Sequence, residues 1–295
     1  MTTPKISLIV CSRRSDISDT LRENVATTIG TADYEWVCID NSANKYSIFE
    51  AYNLGISRAK GEVLCFMHDD IEYRSTGWGD VVIRCLQADT ADACAVIGNK
   101  YARKAPSYTG SRGFACLQYI DEKRGLLADY DASLEQGGNS IILFDGMWFC
   151  LHRRCLERVH FDEGYKGFHF YDMDTAMQLF TSGFRTVFTP DILIWHRSGG
   201  QFDRVFLENS YRYYRKWHRM LPATSAGCTP PSRRQTLYFE LEAIYTSLRQ
   251  IILYRCWHLL PRFYTMVWET AHMPCVIALV LAIIHHQRVR GQQEL

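Results

Sequence analysis

Two hydrophobic periods alternate along the first hundred residues, and this restricts the fold more than any other feature of the chain. "ISLIVCS", Ile6 to Ser12, is a short β-branched run with polar flanks, the pattern of a strand buried on both faces. Ile17, Leu21 and Val25 then recur every four residues, one face of a helix, and Gly30 follows as a closing residue. "EWVCID" is a second strand. Ile48, Tyr52 and Ile56 mark a second helix with Gly61 at its end, and "EVLCFM" is a third strand. The pattern predicts another helix over Trp78 to Leu86 and a fourth strand in "ACAVIGN". Strands that alternate with helices in this way pair in parallel, because each helix returns the chain to the same edge of the sheet. The expected class is α/β, a mostly parallel sheet flanked by helices.

Such sheets bind ligands beyond the carboxyl ends of their strands. Three polar clusters fall there: Ser12-Arg13-Arg14, Asp40-Asn41-Ser42 and His68-Asp69-Asp70. Any one of them fits an ordinary turn; three at one edge point to a site. The doublet Asp69-Asp70 is the most demanding, because adjacent carboxylates repel unless something positive lies beside them. The chain of 295 residues has a net charge of +1, so any ion-binding centre must be local. No basic excess points to nucleic acid. None of the 11 cysteines forms a C-x-x-C pair, and several lie inside apolar runs, which indicates reduced core thiols rather than a disulfide framework or a zinc knuckle. The stretch "MTTPKISLIVCS" lacks the pattern of a signal peptide, so the expected location is cytoplasmic.

Asn99 to Asn139 shows little period. It is read either as a long mobile segment over the sheet edge or as a set of short, poorly patterned elements. "SIILFDGMWFCLHR" resumes strand character around Asp145-Gly146. A helix is predicted from Asp172 to Ser182, with Asp172 at or near its N-cap, followed by a strand through Val187. From Gln201 the composition changes: "SYRYYRKWHRM" interleaves bases with aromatics, "GCTPPSRR" breaks the pattern, and the remainder is helical and apolar. The apolar run from Met273 to Ile284 is well short of the ~20 residues that span a bilayer. The predicted division is a catalytic domain over 1–204 and a helical extension over 205–295. The extension suits an anionic membrane surface, or packing on the catalytic domain, or a homodimer seam.

From Ile6 to about Gly200 the chain resembles a family-2 GT-A glycosyltransferase, in the branch with "HDD" where many relatives have D-x-D. The matching pieces are "ISLIVCSRR", "EWVCIDNS", "AYNLGISRAKGEVLCFMHDDI", "FDGMWFCLHRR", "FYDMDTAMQLFTSGFRT" and "IWHRSGG", in the family's order. The resemblance implies a Rossmann-like GT-A fold and transfer of a sugar from a nucleotide-sugar donor to a glycan or lipid-linked acceptor, in bacterial surface polysaccharide synthesis. It implies Mn2+ or Mg2+ held by Asp70 and His196, a dication that neutralises the departing diphosphate. Asp69 is then an indirect ligand or ribose partner, and His68 stands in place of the first carboxylate. Ser12, Arg13, Asp40, Asn53, Lys60 and Asp145 are placed with Asp69 around the nucleotide sugar. Asp172 is placed as the base that takes the acceptor's hydroxyl proton, which implies inversion at carbon 1. Tyr171 replaces the Glu that usually precedes this aspartate, and Gln178 stands where relatives often have Arg. Asp174 is a secondary candidate, and Trp148 is either a sugar-stacking ring or a core aromatic.

Two other readings fit parts of the chain. Asp172-Met173-Asp174-Thr175 is the D-x-D-x-T string of haloacid-dehalogenase-type phosphatases, with Asp172 as nucleophile. A degenerate relative that binds nucleotide sugar or glycan without turnover is the other.

Overall fold

The computed structural model describes residues 5–87, 91–106, 111, 113–130, 140–197 and 202–271. In chain order its elements begin with β1 (Ile6–Ser12), α1 (Asp19–Thr28), β2 (Tyr34–Asp40), α2 (Ile48–Arg58), β3 (Val63–Met67), β4 (Ile71–Tyr73) and α3 (Trp78–Cys85). Short strands follow: β5 (Ala93–Ala95), β6 (Ile97–Asn99), β7 (Tyr101–Ala102), β8 (Ala115–Asp121), β9 (Gly125–Asp129), β10 (Ser140–Ile141), β11 (Leu143–Phe144) and β12 (Trp148–His152). Then come α4 (Tyr171–Thr181), β13 (Thr186–Phe188), β14 (Ile194–His196), α5 (Arg204–Trp217), β15 (Ala223–Thr224), α6 (Arg233–Leu253) and α7 (Leu260–Ala271).

The chain divides into two units. One comprises 1–102, 110–201 and 223–229; the other comprises 103–109, 202–222 and 230–295. The first unit is α/β. Its main sheet has the order β10-β13-β5-β12-β3-β1-β2 and is mixed. β1 pairs in parallel with β2 and β3, whereas β12 runs antiparallel between β3 and β5. A second sheet has the order β11-β6-β8-β14-β4, with β9 hairpinned onto β8. The segment from Asn99 to Asn139 thus contains strands where it is described, which favours the reading as short elements over the single mobile loop. Residues 107–110, 112 and 131–139 lie outside the described residues.

Helix starts follow local chemistry. Ser18 accepts from the Leu21 N–H at the start of α1, and Ser47 with Glu50 forms a reciprocal capping box at the start of α2. Gly30, at φ 90°, ends the turn after α1 in a conformation that suits glycine. α2 ends at Arg58, before Gly61. Gly61 instead lies against the start of β1, where its N–H donates to the Ser7 hydroxyl. Leu8, Val10, Cys65, Met67 and Trp148 are buried in one apolar cluster. Tyr73 stacks on Trp78 at 4.1 Å and accepts from the Trp148 indole N–H at 2.8 Å. Trp148 is therefore a core ring, not a sugar platform.

The second unit is helical. Leu207, Tyr211 and Tyr214 of α5 join Ile244 and Leu248 of α6 and Phe263 and Met266 of α7 in its core. Tyr211, Tyr213 and Tyr214, which the sequence offered as a surface of bases and aromatics, are buried. Glu240 is 3% exposed and accepts from the backbone N–H groups of Lys104 and Ala105, tying 103–105 to α6. Burial pushes its carboxyl above the usual range, and those two bonds oppose the shift. Among the described residues no helix is long and apolar enough to cross a membrane. The run from Met273 to Ile284 lies outside them.

Candidate functional site

β1 and β2 end together, with Ser12 and Asp40 as register partners, and β3 lies on the other side of β1. The three polar clusters therefore stand at one edge. Past β3 the chain is held by the His68 N–H, which donates to the Met147 carbonyl at 3.0 Å. It then turns into β4, which pairs antiparallel with β14 so that Ile71 opposes His196. The Arg197 N–H closes this pairing on the Asp70 carbonyl at 3.2 Å. That ladder is what brings an imidazole from far along the chain to the acidic doublet.

The resulting cluster is His68, Asp70 and His196, all half-buried, with one ligand atom from each and all three within 4.8 Å of one another. His196 Nε2 is 3.4 Å from Asp70 Oδ1 and 3.4 Å from His68 Nδ1, and His68 Nδ1 is 3.8 Å from Asp70 Oδ1. Donors about 2.1 Å from one ion at roughly 90–110° to each other lie about 3.0–3.5 Å apart. The observed set needs only a slight closure, so these residues fit a dication. Two imidazoles and one carboxylate form a donor set suited to manganese, zinc and similar metals. Desolvation lowers the His68 pKa, Asp70 pulls it back up, and His196 adds to the depression. The net effect favours the neutral ring that a metal ligand must present. The sequence reading placed Asp70 and His196 here and left His68 without a ligand role.

Asp69 turns the other way. Its Oδ2 accepts from the Ser12 hydroxyl at 2.6 Å, and the Ser12 Oγ in turn accepts from the Arg14 N–H at 3.0 Å. Asp40 is exposed and accepts from the Ser42 N–H at 2.9 Å, and hydrogen bonds from Ser42 hold its pKa below the ordinary carboxylate range. Arg13 is exposed. A cleft beside the doublet is lined by Arg14, Ser18, Asp69, Asp70, Glu72 and Arg197. Arg14 belongs to the first of the three clusters seen in the sequence, without a role given to it there; Arg197 was not expected, and only the pairing of β4 with β14 brings it to this cleft.

Asp172 lies in the first turn of α4 and is 1% exposed. It accepts from the Gly146 N–H at 2.9 Å and the Met173 N–H at 2.8 Å, and the positive end of the helix favours its charge. The N-cap is Phe170, held at φ 71°, a conformation that is sparsely populated by bulky residues and concentrated at functional sites. Asp145, half-buried in the turn before β12, accepts from the Met147 N–H at 2.8 Å. The turn requires glycine at 146: a Cβ there would sit 2.1 Å from the Tyr171 hydroxyl oxygen.

Other expected residues have different work. The Asn53 amide donates to the Phe161 carbonyl at 2.9 Å and to Glu163 at 2.8 Å, anchoring 161–163 to α2. Lys60 lies between α2 and β3, at the amino end of the strands, where its N–H donates to Glu35. That is the end of the sheet opposite the cluster. Asp174 is buried and accepts from Tyr165 and from Gln178, whose amide also bonds His160. The D-x-D-x-T string thus lies inside a helix, with its second aspartate tied into packing, rather than just after a strand.

A family model described as "Glycosyltransferase like family" matches residues 7–218. No curated protein sequence matches the chain. TarS (residues 1–349) from S. aureus is 12% identical with a TM-score of 0.52, over 93% of this chain and 83% of that one. The same protein in complex with UDP-GlcNAc gives a TM-score of 0.51. Mannosyltransferase PcManGT from Pyrobaculum calidifontis, in complex with GDP-Man and Mn2+, is 14% identical over 96% of this chain and 80% of that one, with a TM-score of 0.49. GalNAc-T7 with UDP, GalNAc and Mn2+ is 12% identical over 75% of this chain, TM-score 0.48; the chain spans about half its length, 52%. The likeness to TarS shows the fold, that of the GT-A glycosyltransferases.

Proposed function

We propose, from the premise that this chain belongs to the glycosyltransferase-like family and is a glycosyltransferase, that it is a metal-dependent inverting enzyme using a nucleotide-sugar donor. The observation that carries the reading is the convergence of His68, Asp70 and His196, with ligand atoms within 4.8 Å, at the carboxyl edge of the sheet. A bound dication there supplies Lewis-acid neutralisation of the diphosphate leaving group. The protein's own part is to hold it with Asp70, His196 and His68, and to offer Arg14 and Arg197 along the adjoining cleft to phosphate oxygens. Asp69, Ser12 and Asp40 supply hydroxyl and carboxylate groups for ribose and base, with Arg13 beside them. Asp145 lies toward the donor sugar. Asp172 accepts the proton of the acceptor hydroxyl as the new bond forms, from the face opposite the leaving group, which gives inversion.

The donor set also argues about metal identity. Mg2+ prefers an all-oxygen octahedron, whereas imidazole ligands favour Mn2+ and later ions. With a panel of sugar nucleotides, the full chain is expected to release nucleoside diphosphate with Mn2+ and at least about tenfold more slowly with Mg2+. Turnover that survives a chelator would refute the metal dependence, and no turnover with any donor would refute the function.

The acceptor is a glycan or lipid-linked glycan in a surface polysaccharide pathway of a bacterium. One feature of the helical unit supports a peripheral site of action. In the helical unit Leu253, Trp257, Tyr264 and Trp268 are 65, 53, 43 and 62% exposed. Arg255, His258 and Arg262 are exposed beside them, and no acidic residue occurs between Ile251 and Trp268. Interfacial aromatics with cations suit an anionic lipid surface. The full chain is expected to float with anionic vesicles at low salt, and Trp257→Ala with Trp268→Ala to lower the floated fraction several-fold. Flotation equal to that of the parent would reject this surface.

A further inference from the structure

His68 and Tyr171, which the sequence resemblance reads as standing in place of a carboxylate and a glutamate, touch each other: His68 Nε2 lies 2.9 Å from the Tyr171 hydroxyl oxygen. The other ring nitrogen, Nδ1, faces His196 Nε2 at 3.4 Å and Asp70 Oδ1 at 3.8 Å. A neutral imidazole has one N–H and one lone pair, so what one nitrogen bonds decides what the other can do.

Tyr171 is held on all sides. It is 4% exposed, its ring meets Phe49 and Tyr52 edge-on at 6.3 and 5.5 Å, and its hydroxyl passes over Gly146 where no side chain fits. A phenol oxygen can accept an imidazole N–H, and with Nδ1 facing Asp70 and His196 this is the arrangement at Nε2 that leaves Nδ1 its lone pair for a shared ion.

We infer that Tyr171 is a positioning residue: it accepts the Nε2–H of His68, fixes that tautomer, and turns the Nδ1 lone pair toward the point that Asp70 and His196 also face. The inference rests on the dication reading above for its purpose, and makes His68 the third ligand. The two replacements work as one unit, in which an imidazole serves as a ligand only because a phenol orients it. Partners of this kind usually alter metal affinity about 10–100-fold.

The full chain with 15N-labelled histidine, free of metal, tests it. Long-range 1H–15N spectra are expected to show His68, assigned from the signal lost in His68→Ala, as the Nε2–H tautomer, and Tyr171→Phe is expected to abolish that preference. Tyr171→Phe keeps the ring that packs on Phe49 and Tyr52, and its thermal midpoint checks the fold. In Mn2+ titrations followed by electron paramagnetic resonance, Tyr171→Phe is expected to weaken binding about 10–100-fold, and to weaken it no further in a His68→Ala background. An Nδ1–H tautomer in the parent would overturn the inference. So would unchanged Mn2+ affinity in Tyr171→Phe, or a loss that adds fully to that of His68→Ala. If no protein in the series binds Mn2+ while the tautomer still depends on Tyr171, the dication reading falls and the positioning role stands.

Discussion

Asp70→Ala is expected to lower sugar transfer by about three orders of magnitude, measured as kcat/KM for the donor found in the panel at saturating Mn2+; the dication is worth several kcal/mol of charge stabilisation, and each 1.4 kcal/mol is about tenfold in rate. Asp70 is the only anion in the cluster. Without it two imidazoles and no carboxylate remain, and they cannot offset the charge of an ion that must leave water to bind. The same variant is expected to bind Mn2+ too weakly to titrate at micromolar protein. The side chain is 29% exposed, so its removal leaves no core cavity and the fold is expected to persist. A loss of less than tenfold in transfer would remove Asp70 from the chemistry and the proposed mechanism with it.

Asp172→Asn is expected to lower turnover about 10²- to 10⁴-fold while donor binding stays within about threefold, because it removes the proposed base and leaves the proposed donor contacts in place. The buried position makes a control necessary. Asp172 accepts from two backbone N–H groups, Gly146 and Met173, and an asparagine has one acceptor oxygen for the two. A stability loss of about 1–3 kcal/mol is therefore expected, visible as a lower thermal midpoint. Single-turnover rates at a temperature where both proteins are folded separate the two effects. Turnover above about a tenth of the parent's would exclude Asp172 as the base. Loss of donor binding together with turnover would make it a structural residue of the turn at Gly146.

How much of this was visible in the sequence differs by element. β1, α1, α2 and β3 each carry a full period of their own, because they are buried on one helix face or on both strand faces, and they were legible; β2, a half-buried edge strand, was legible from its short apolar run alone. β9 was not: its five residues are nearly all exposed at a sheet edge, so no alternation marks it. β4 has three residues and follows the doublet directly, too short to show a pattern. The doublet and His196 could be picked out by motif resemblance. His68 as a third member could not, since its place depends on a turn held by the Met147 carbonyl and on register across β4 and β14. Asn53 and Lys60 were drawn toward the site by their place in a matching segment. The structure gives one to a loop anchor and leaves the other at the far end of the strands. The aromatics of α5 misled for a related reason: tyrosines interleaved with bases look like a surface until the helix turns them inward.

The three-residue strand β14 carries a consequence for how this enzyme can vary. Side chains alternate sides along a strand, so a slip of one residue against Ile71 would swing the His196 ring to the opposite side of the second sheet and dismantle the cluster. Insertions or deletions between Phe188 and Ile194 are therefore tolerable only where the intervening turn absorbs them before the ladder begins. The reach of the turn, more than the chemistry of the histidine, sets what lengths evolution or engineering can try there.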